Sequence, residues 1–206
     1  MAVQLVTPPT AEPITLVRAK LHLRVDFDDD NDLIQDMIIT AREVAETETR
    51  RALMTQTWKY ILDAFPANPQ PALTWQGDQD RFRLPFPPLQ SVTSIVYTDQ
   101  NGTPGTVSPS VYQVDTASEP GRIALNPGQV WPSVALATIA GVAVTFVAGY
   151  TSADQVPRSL KQGMLLLIGA YYRNREDWVV DKQIKSLEMP RGVASLFLRN
   201  AVPEAA

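Results

Sequence analysis

The chain has 206 residues, of which 45% are hydrophobic and 19% charged, and its formal net charge at pH 7 is −4. It has no cysteine, which excludes disulfides, thiolate zinc sites and cysteine nucleophiles. Its single histidine, His22, leaves almost nothing for histidine-based catalysis or metal binding. The weak acidity, without a dense Lys/Arg cluster, argues against a protein that grips nucleic acid through its phosphates.

The sequence shows no targeting or membrane-spanning segment. Residues 1–10 lack the basic start and apolar core of a signal peptide. The longest unbroken apolar run, residues 164–168, is far too short to cross a bilayer. We therefore expect a soluble protein with no membrane partner.

The N-terminal segment is predicted to be an extended arm followed by a short helix. Three prolines between positions 8 and 13 are incompatible with a helix, so residues 1–12 are expected to be extended. Thr15 is the predicted N-cap of a helix that ends at Leu23. The apolar members of this helix are Leu16, Ala19, Leu21 and Leu23.

An acidic run at residues 26–32 opens the clearest helix of the chain, predicted over residues 31–51. Acidic residues at its start and the pair Arg50 and Arg51 at its end both complement the helix dipole. Its apolar stripe recurs at helical spacing and consists of Leu33, Ile34, Met37, Ile38, Ala41, Val44 and Ala45.

The region from residue 56 to about residue 150 has the pattern of short strands. Trp58, Tyr60 and Leu62 alternate with polar residues, which is typical of a half-buried strand. The dipeptide at residues 101–102, Asn-Gly, predicts a turn. Most of the 17 prolines lie in or beside this region, which fits a small antiparallel unit with protected edges. Further strands are predicted at residues 92–98, 111–115, 122–125 and 142–147.

The C-terminal region is predicted to be helical again. Residues 160–173 are almost all apolar and follow Pro157, which sits where the first helical position would be. A last short helix is predicted over residues 192–200. Because the helices before and after the β region are too apolar to stand alone, we expect them to pack together.

The predicted fold class is therefore α+β, a helical bundle with a small antiparallel β unit inserted into it. Residues 1–54 would supply the N-terminal arm and the first helices of the bundle. Residues 55–155 would form the inserted β-rich unit, and residues 156–206 would complete the bundle with the last helices and a tail.

The acidic run is the first candidate site, and it does not have the pattern of a calcium loop. A calcium loop needs glycine at its sixth position and glutamate at its twelfth. A loop that starts at Asp26 or at Asp28 has neither residue at these positions. The ordinary interpretation is a solvated helix start. The functional alternative is an acidic surface facing DNA or a basic partner, formed by Asp28, Asp29, Asp30 and Asp32.

A dense group of Tyr, Arg, Asn, Glu and Trp at the end of the helix predicted over residues 160–173 is the second candidate. Two interpretations fit this group. It is the amphipathic end of a core helix, or it is a protein interface, since Tyr, Trp and Arg are enriched at binding hot spots. With the apolar side of the last helix, the candidate interface residues are Tyr171, Tyr172, Arg173, Asn174, Arg175, Glu176, Trp178, Pro190, Val193, Leu196 and Phe197.

Catalytic and cofactor sites find no support in the sequence. No Gly-x-Ser-x-Gly elbow accompanies His22, and no glycine-rich phosphate loop of the dinucleotide or Walker type occurs. We expect no catalytic residue, no cofactor and no metal, and hence a protein that is not an enzyme.

One further pattern is a set of segments in a fixed order and spacing. They are residues 14–24, 41–53, 56–58, 84–92, 146–150, 156–161 and 172–176, and a closing Pro-x-Gly-Val helix. Together these segments resemble the head–tail connector proteins (adaptor or head-completion proteins) of long-tailed double-stranded DNA phages and related gene-transfer agents. The sequence departs from the family's pattern at Met189, where Leu is expected, and at Phe197 and Leu198, where paired aliphatic residues are expected.

This resemblance implies a structural virion protein that forms a homo-oligomeric, dodecameric ring. The ring would dock beneath the portal protein and offer its other face to a stopper or tail-completion protein. DNA would pass through its channel without sequence-specific binding. The protein would be located at the neck of the virion, and in the host cytoplasm during assembly. The C-terminal helix and tail would reach the portal, and the bundle would supply the ring contacts.

Two alternatives remain open at this point. The chain could be another neck or tail component, such as a stopper or tail-terminator, which would share the ring arrangement. It could also be a β-rich module that binds a glycan or a host surface through Trp58, Trp75 and Trp131.

Overall fold

The computed structural model describes residues 1–66, 81–174 and 191–202. The chain divides into two compact units. A β-rich unit comprises Met1–Pro9 and Thr55–Gly149, and a helical unit comprises Thr10–Met54 and Tyr150–Ala206. The α+β class and the packing of N- and C-terminal helices into one bundle are confirmed.

The β-rich unit is built from two antiparallel sheets. Its strands in the described residues are β1 (Ala2–Thr7), β2 (Gln56–Leu62), β3 (Arg81–Arg83), β4 (Leu89–Thr98), β5 (Pro104–Thr106), β6 (Tyr112–Asp115), β7 (Arg122–Leu125) and β8 (Val142–Ala148). The larger sheet has the order β1-β2-β8-β4-β5, and the smaller sheet has the order β3-β7-β6.

Strand β8 lies at the centre of the larger sheet, and its sequence explains why. Val142, Val144, Phe146 and Ala148 are buried, and the residues between them are half-buried. This period of two gives the strand one fully apolar face. Both of its edges are paired, with β2 on one side and β4 on the other.

An aromatic cluster fills the interior of the β-rich unit. The ring of Trp131, 2% exposed, stacks on Phe65 at a centroid distance of 5.2 Å and meets Phe82 edge-on, also at 5.2 Å. Phe65 also contacts Tyr97 edge-on at 6.1 Å. Such offset and edge-to-face pairs contribute roughly 0.5–1.5 kcal/mol each beyond the area they bury.

The N-terminal arm belongs to the β-rich unit and not to the bundle, which corrects the predicted grouping of residues 1–54. Strand β1 pairs antiparallel with β2, with Ala2 opposite Ile61 and Leu5 opposite Trp58. All six residues of β1 are exposed, so backbone pairing and not burial holds it. The sequence indicated an extended conformation but could not indicate which strand the arm would pair with.

The helical unit contains four helices in the described residues. They are α1 (Leu16–Leu23), α2 (Asn31–Thr49), α3 (Arg158–Arg173) and α4 (Arg191–Leu198), and a short 3-10 turn at Ala153–Gln155 precedes α3. Thr15 is the N-cap of α1 as predicted, since its hydroxyl accepts a hydrogen bond from the Arg18 backbone amide at 3.2 Å. Helix α2 ends two residues earlier than predicted because Arg50 adopts a left-handed conformation with φ 54°.

The four helices share one hydrophobic core. Ile34, Ile38 and Ala41 of α2 pack with Leu160, Met164 and Ile168 of α3, and Val193 and Phe197 of α4 complete the cluster. Gly163 permits the close approach of α4, because a Cβ at that position would collide with the Phe197 ring.

Two positions of the predicted apolar stripes lie at the surface. Leu21 of α1 is 71% exposed and Leu33 of α2 is 36% exposed. Helix α1 is attached to the core through buried Ala19 and half-buried Leu16 and Leu23, a spacing of three and four residues. Leu21 projects from a different face. Apolar character alone did not reveal which side of this short helix faces the core.

None of the helices in residues 1–66, 81–174 and 191–202 combines the length and the apolar character that crossing a bilayer requires.

The turn between β6 and β7 is organised by Asp115. Its carboxylate accepts hydrogen bonds from the Arg122 guanidinium at 2.7 Å, from the Ser118 hydroxyl at 2.6 Å and from the Ala117 amide at 3.0 Å. Hydrogen bonds from Ser118 and Arg122 hold the pKa of Asp115 well below its ordinary value of 3.8. The contribution of Asp115 to stability is therefore present above pH 3.8 and is lost as the pH falls below it.

We expect Asp115→Asn to increase amide hydrogen exchange in β6 and β7 at neutral pH and to remove this acid dependence. Hydrogen-exchange mass spectrometry at neutral and acidic pH measures both effects. Gln113→Thr, at an exposed position of β6, is the matched control and should leave exchange unchanged. Unaltered exchange in the Asp115→Asn protein would contradict the assigned role.

Candidate interface surfaces

The C-terminal end of α3 presents part of the predicted interface. Tyr171 and Tyr172 are half-buried against the core of the bundle, whereas Arg173 and Asn174 are exposed. The Arg173 Nε donates to the Gly169 carbonyl at 3.3 Å, one turn earlier in the helix. Burial raises the pKa of Tyr171 above its ordinary value of 10.0, so its hydroxyl is neutral at physiological pH. The tyrosine rings are thus anchored on one side and accessible on the other.

The acidic run lies beside this end of α3. The Tyr172 hydroxyl donates a hydrogen bond to Asp30 Oδ2 at 2.5 Å, across 142 positions of sequence. The structure therefore brings together two sets of residues that the sequence singled out separately. Asp28, Asp29 and Asp32 are exposed around this contact.

Lys20 fixes the shape of the acidic run. Its Nζ donates to Asp28 Oδ1 at 2.7 Å and to Asn31 Oδ1 at 2.8 Å. The hydrogen bond from Lys20, one from Asn31 Nδ2 and the positive charge of Lys20 lower the pKa of Asp28 below its ordinary value of 3.8. The loop before α2 is thus a positioned acidic surface, and Asp29 and Asp32 leave their carboxylates directed to solvent.

The last helix contributes less surface than the sequence suggested. Val193 and Phe197 are each 1% exposed, because they fill the core between α4 and α3. Burial removes both side chains from the set of candidate interface contacts, whereas Leu196 is half-buried at the margin. Four further candidates, Arg175, Glu176, Trp178 and Pro190, lie outside the described residues.

A buried ion network supports the bundle, and sequence reasoning missed it. Arg42, only 6% exposed, donates from Nε to Glu12 Oε2 at 2.9 Å and from Nη1 to Glu46 Oε2 at 2.8 Å. Glu46 in turn accepts a hydrogen bond from the Leu53 amide at 2.7 Å. Burial raises the pKa of Glu12 from 4.5, and the charge of Arg42 opposes that rise. The spacing of Arg42 and Glu46 by four residues was the one available signal.

A basic cleft opens where α1 and α3 begin, and no pattern in the sequence indicated it. Its volume is about 510 Å³, and Arg18, Arg158 and Lys161 supply its positive charge beside one acidic residue, Asp154. The Lys161 Nζ donates to the Ala153 carbonyl at 2.9 Å, which holds its charge in place. Arg18 and Arg158 are exposed. We call this cavity, with Arg18, Arg158 and Lys161 in its wall, the basic cleft.

The tryptophans do not form a recognition surface in the described residues. Trp131 is part of the buried aromatic cluster, and Trp58 is half-buried and stacks on Phe86 at 4.4 Å. The third tryptophan of the predicted glycan-binding alternative, Trp75, lies outside the described residues. Two of the three rings are therefore packing elements of the β-rich unit.

In the described residues, no group of three or more His, Asp or Glu side chains is arranged to bind a metal ion. The surfaces above offer charge, hydrogen bonds and aromatic edges.

Comparison with solved structures gives matches over the full chain to structures of gene transfer agent (GTA) particles. The neck of an empty GTA particle, computed with C6 symmetry, contains a chain with 23% identity and a TM-score of 0.74, covering 100% of this chain and 98% of that chain. A chain in the virion of a native GTA particle matches with 22% identity, a TM-score of 0.74 and the same coverage. The neck of a native GTA particle, computed with C12 symmetry, gives 23% identity, a TM-score of 0.72 and again 100% and 98% coverage.

At this level of identity, the likeness establishes a common fold, and the sequence comparison identifies the family. A comparison with curated protein sequences gave no match. The family model of the phage gp6-like head-tail connector proteins matches residues 13–119, more than half of the chain. The chain therefore belongs to the phage gp6-like head-tail connector family, a family of structural virion proteins and not of enzymes.

Proposed function

We propose that this protein forms a ring adaptor between the portal vertex of a capsid and the stopper or tail, with a channel through which DNA passes. The observation that carries the proposal is the family match, together with a common fold over the full chain with a protein of GTA particles. Two of those structures are necks computed with C6 or C12 symmetry. Twelve copies around the axis would satisfy both symmetries.

A ring of this kind needs little affinity at each contact. Each subunit offers two different surfaces, one to each neighbour, and the rotation closes the assembly. A closed ring also engages its axial partners through many equivalent sites at once, so weak individual contacts add up to stable docking. This suits a chain whose described surfaces are polar patches with scattered exposed apolar residues.

The charge of the chain is compatible with a DNA channel that does not bind its contents. The net charge of −4 provides no strong attraction for phosphates. DNA has to slide through the channel when it enters and leaves the capsid, so a channel wall that does not bind DNA strongly suits this role. The proposal therefore includes no sequence-specific contact with DNA.

The exposed end of α3 is the proposed contact surface for an axial partner. Arg173 and Asn174 are exposed and offer hydrogen-bond donors beyond the one that Arg173 Nε uses on Gly169, and the accessible edges of Tyr171 and Tyr172 add aromatic area. Arg175, Glu176 and Trp178 follow directly in the sequence and extend the proposed contact set. The portal and the stopper are the proposed partners on the two faces of the ring.

The proposal is tested by removing the protein from particles. Particles assembled without it are expected to fail to retain their genome and to acquire no tails, and electron microscopy with DNA quantification measures both. Localisation of the protein in complete particles by cryo-electron microscopy separates an adaptor next to the portal from a stopper or tail-terminator further away. Particles that lack the protein but keep their DNA and bear tails would overturn the proposal.

A further inference from the structure

The two ends of the α1–α3 helix pair differ in charge. At one end the cleft lining has three cations, Arg18, Arg158 and Lys161, and one acid, Asp154. At the other end the five aspartates of residues 26–32 outnumber the cations Lys20, Arg24 and Arg173.

Arg18 of α1 and Leu165 of α3 line the same cleft, and four residues further along both helices His22 lies against Gly169. The two helices therefore run side by side in the same direction. The basic cleft lies where they begin, and the acidic run lies where they end. Along α3 the cleft lining extends from Arg158 to Leu165, and the acidic run contacts Tyr172, so the nearer edges are separated by seven residues, about 10 Å at 1.5 Å per residue.

The basic cleft has charges that the described part of the chain leaves unused. Arg18 and Arg158 are both exposed, and within residues 1–66, 81–174 and 191–202 neither guanidinium takes part in a hydrogen bond or ion pair. Lys161, held by the Ala153 carbonyl, adds a third charge at the cleft wall. With a volume of about 510 Å³, the cleft can admit several side chains of a partner.

The acidic end has the complementary arrangement. Asp29 and Asp32 are exposed, and in the described residues neither carboxylate has a hydrogen-bond or ion-pair partner. Lys20 and Tyr172 fix the loop through Asp28 and Asp30, so the two unused carboxylates project from a structured surface. A preorganised surface loses less conformational entropy on docking than a flexible one.

Between the two charged ends, α1 exposes apolar surface. Val17 is 77% exposed and Leu21 is 71% exposed, and a spacing of four residues puts them on one side of the helix. An exposed aliphatic pair next to Arg18 adds apolar area to the rim of the basic cleft. Such a patch is typical of a surface that becomes covered by protein.

We propose that the basic cleft of one copy binds the acidic end of the next copy in the ring. At each such contact between neighbouring subunits, which we call the ring seam, Arg18, Arg158 and Lys161 would face Asp29 and Asp32. This inference rests on the proposed ring. The occupant is a second copy of this chain because the matching carboxylates lie on the same unit, at the opposite end of the same helix pair. A contact between two different surfaces of identical subunits is the kind that closes into a ring.

DNA is the rival occupant of a basic cleft, and the charge pattern disfavours it. Among the described residues, three cations line the cleft beside Asp154, on a chain with a net charge of −4. A phosphate-binding surface normally has a broad basic face. Opposite charges across a protein interface, by contrast, need only a few pairs to set register and to reject wrong arrangements.

Reciprocal charge reversal tests the seam in complete particles. One variant reverses the cleft, with Arg18→Glu and Arg158→Glu. The other reverses the acidic end, with Asp29→Lys and Asp32→Lys. Each variant alone places like charges across every seam, and we expect the fraction of tailed particles to fall to about one tenth of the wild-type level or lower. Produced together, the two variants alternate around the ring with opposite charges at every seam, and tailed particles should return.

The controls separate assembly from folding. Glu48→Lys reverses an exposed charge on α2 outside both surfaces and should leave tailing unchanged. Circular dichroism of each purified variant verifies that it is folded. If a reversed variant does not fold, two cysteines replace the charge reversals, Arg18→Cys in the cleft and Asp29→Cys at the acidic end. Because the chain has no cysteine of its own, a bifunctional maleimide then gives a ladder of linked copies only if the two positions meet between subunits.

Several outcomes would overturn this assignment while leaving the ring adaptor intact. They are normal tailing by either reversed variant alone, no recovery when two folded variants are combined, and no ladder from particles that contain the cysteine variant. Loss of duplex DNA binding by the cleft variant, with tailing unchanged, would identify DNA as the occupant. Absence of the wild-type protein from the neck would instead contradict the proposed function itself.

Discussion

Replacing Phe197 with Ala is expected to lower the free energy of unfolding of the helical unit by about 3–5 kcal/mol. The ring is 1% exposed and lies against Gly163 of α3, so its removal leaves a cavity where α4 meets the core. Residues 200–202, which follow α4, are held by polar contacts. The Asn200 side-chain amide donates to the Ser159 hydroxyl at 2.9 Å, and the Val202 backbone amide donates to the Thr49 carbonyl at 2.9 Å. Those bonds prevent α4 from moving in to fill the cavity.

Chemical denaturation followed by far-UV circular dichroism measures this loss. Leu198→Ala is the matched control, because Leu198 is the next residue of the same helix and is 67% exposed. Its effect should stay within about 0.5 kcal/mol, as for most surface substitutions. Equal destabilisation by the two variants would mean that α4 does not pack through Phe197.

Replacing Arg42 with Ala is expected to cost about 3–5 kcal/mol, because it removes the buried guanidinium that donates to the largely buried carboxylates of Glu12 and Glu46. The Glu12 side chain is 15% exposed and the Glu46 side chain is 13% exposed. Arg42 joins the segment before α1 to the middle of α2, so we expect its loss to loosen both. Denaturant titration at neutral pH measures the change.

Glu43→Gln is the control for Arg42→Ala. Glu43 is 3.8 Å from the same guanidinium, but its side chain is 64% exposed, so solvent screens the pair and its loss should be nearly neutral. A large effect of Glu43→Gln, or a negligible effect of Arg42→Ala, would contradict the assigned network.

The pH dependence of the Arg42→Ala protein provides an independent check. Burial raises the folded-state pKa of Glu12 above 4.5, so the contribution of this group to stability is greatest below pH 4.5 and is lost as the pH rises through the folded-state value. Without Arg42, nothing opposes that rise. The variant should therefore regain part of its lost stability as the pH is lowered from about 7 to about 5, relative to the wild-type protein. Denaturation at both pH values tests the sign.

The elements that the sequence predicted well have strong local signals. The cap at Thr15, the 3.6-residue stripe of α2 and the alternation in β8 each depend on residues that are close in sequence. The Asn-Gly turn is of the same kind, and Gly102 has the positive φ of 81° that this turn requires. The resemblance to head–tail connectors, which depends on the order of such segments, was confirmed by the family match.

The candidate site was only partly predictable, because a protein surface is formed by residues that are distant in sequence. Composition identified Tyr172 and the acidic run, but only the fold brought the Tyr172 hydroxyl to Asp30. The basic cleft combines Arg18 with Arg158 and Lys161, which no sequence pattern connects. The pairing of β1 with β2 likewise joins segments about fifty residues apart through backbone hydrogen bonds, which carry no side-chain signature.

The sequence by itself determined the composition class, most helix and strand positions, and membership in a family of structural virion proteins. These follow from periodicity, caps and turns, which act within a few residues of chain. Only the tertiary structure decided which apolar residues are core and which are surface, as for Phe197 and Leu198, which adjoin in sequence but differ in burial. It also decided that α1 and α3 run in the same direction, which places positive charge at one end of the helix pair and negative charge at the other. Burial and charge separation are properties of packed elements, and packing is absent from a linear chain.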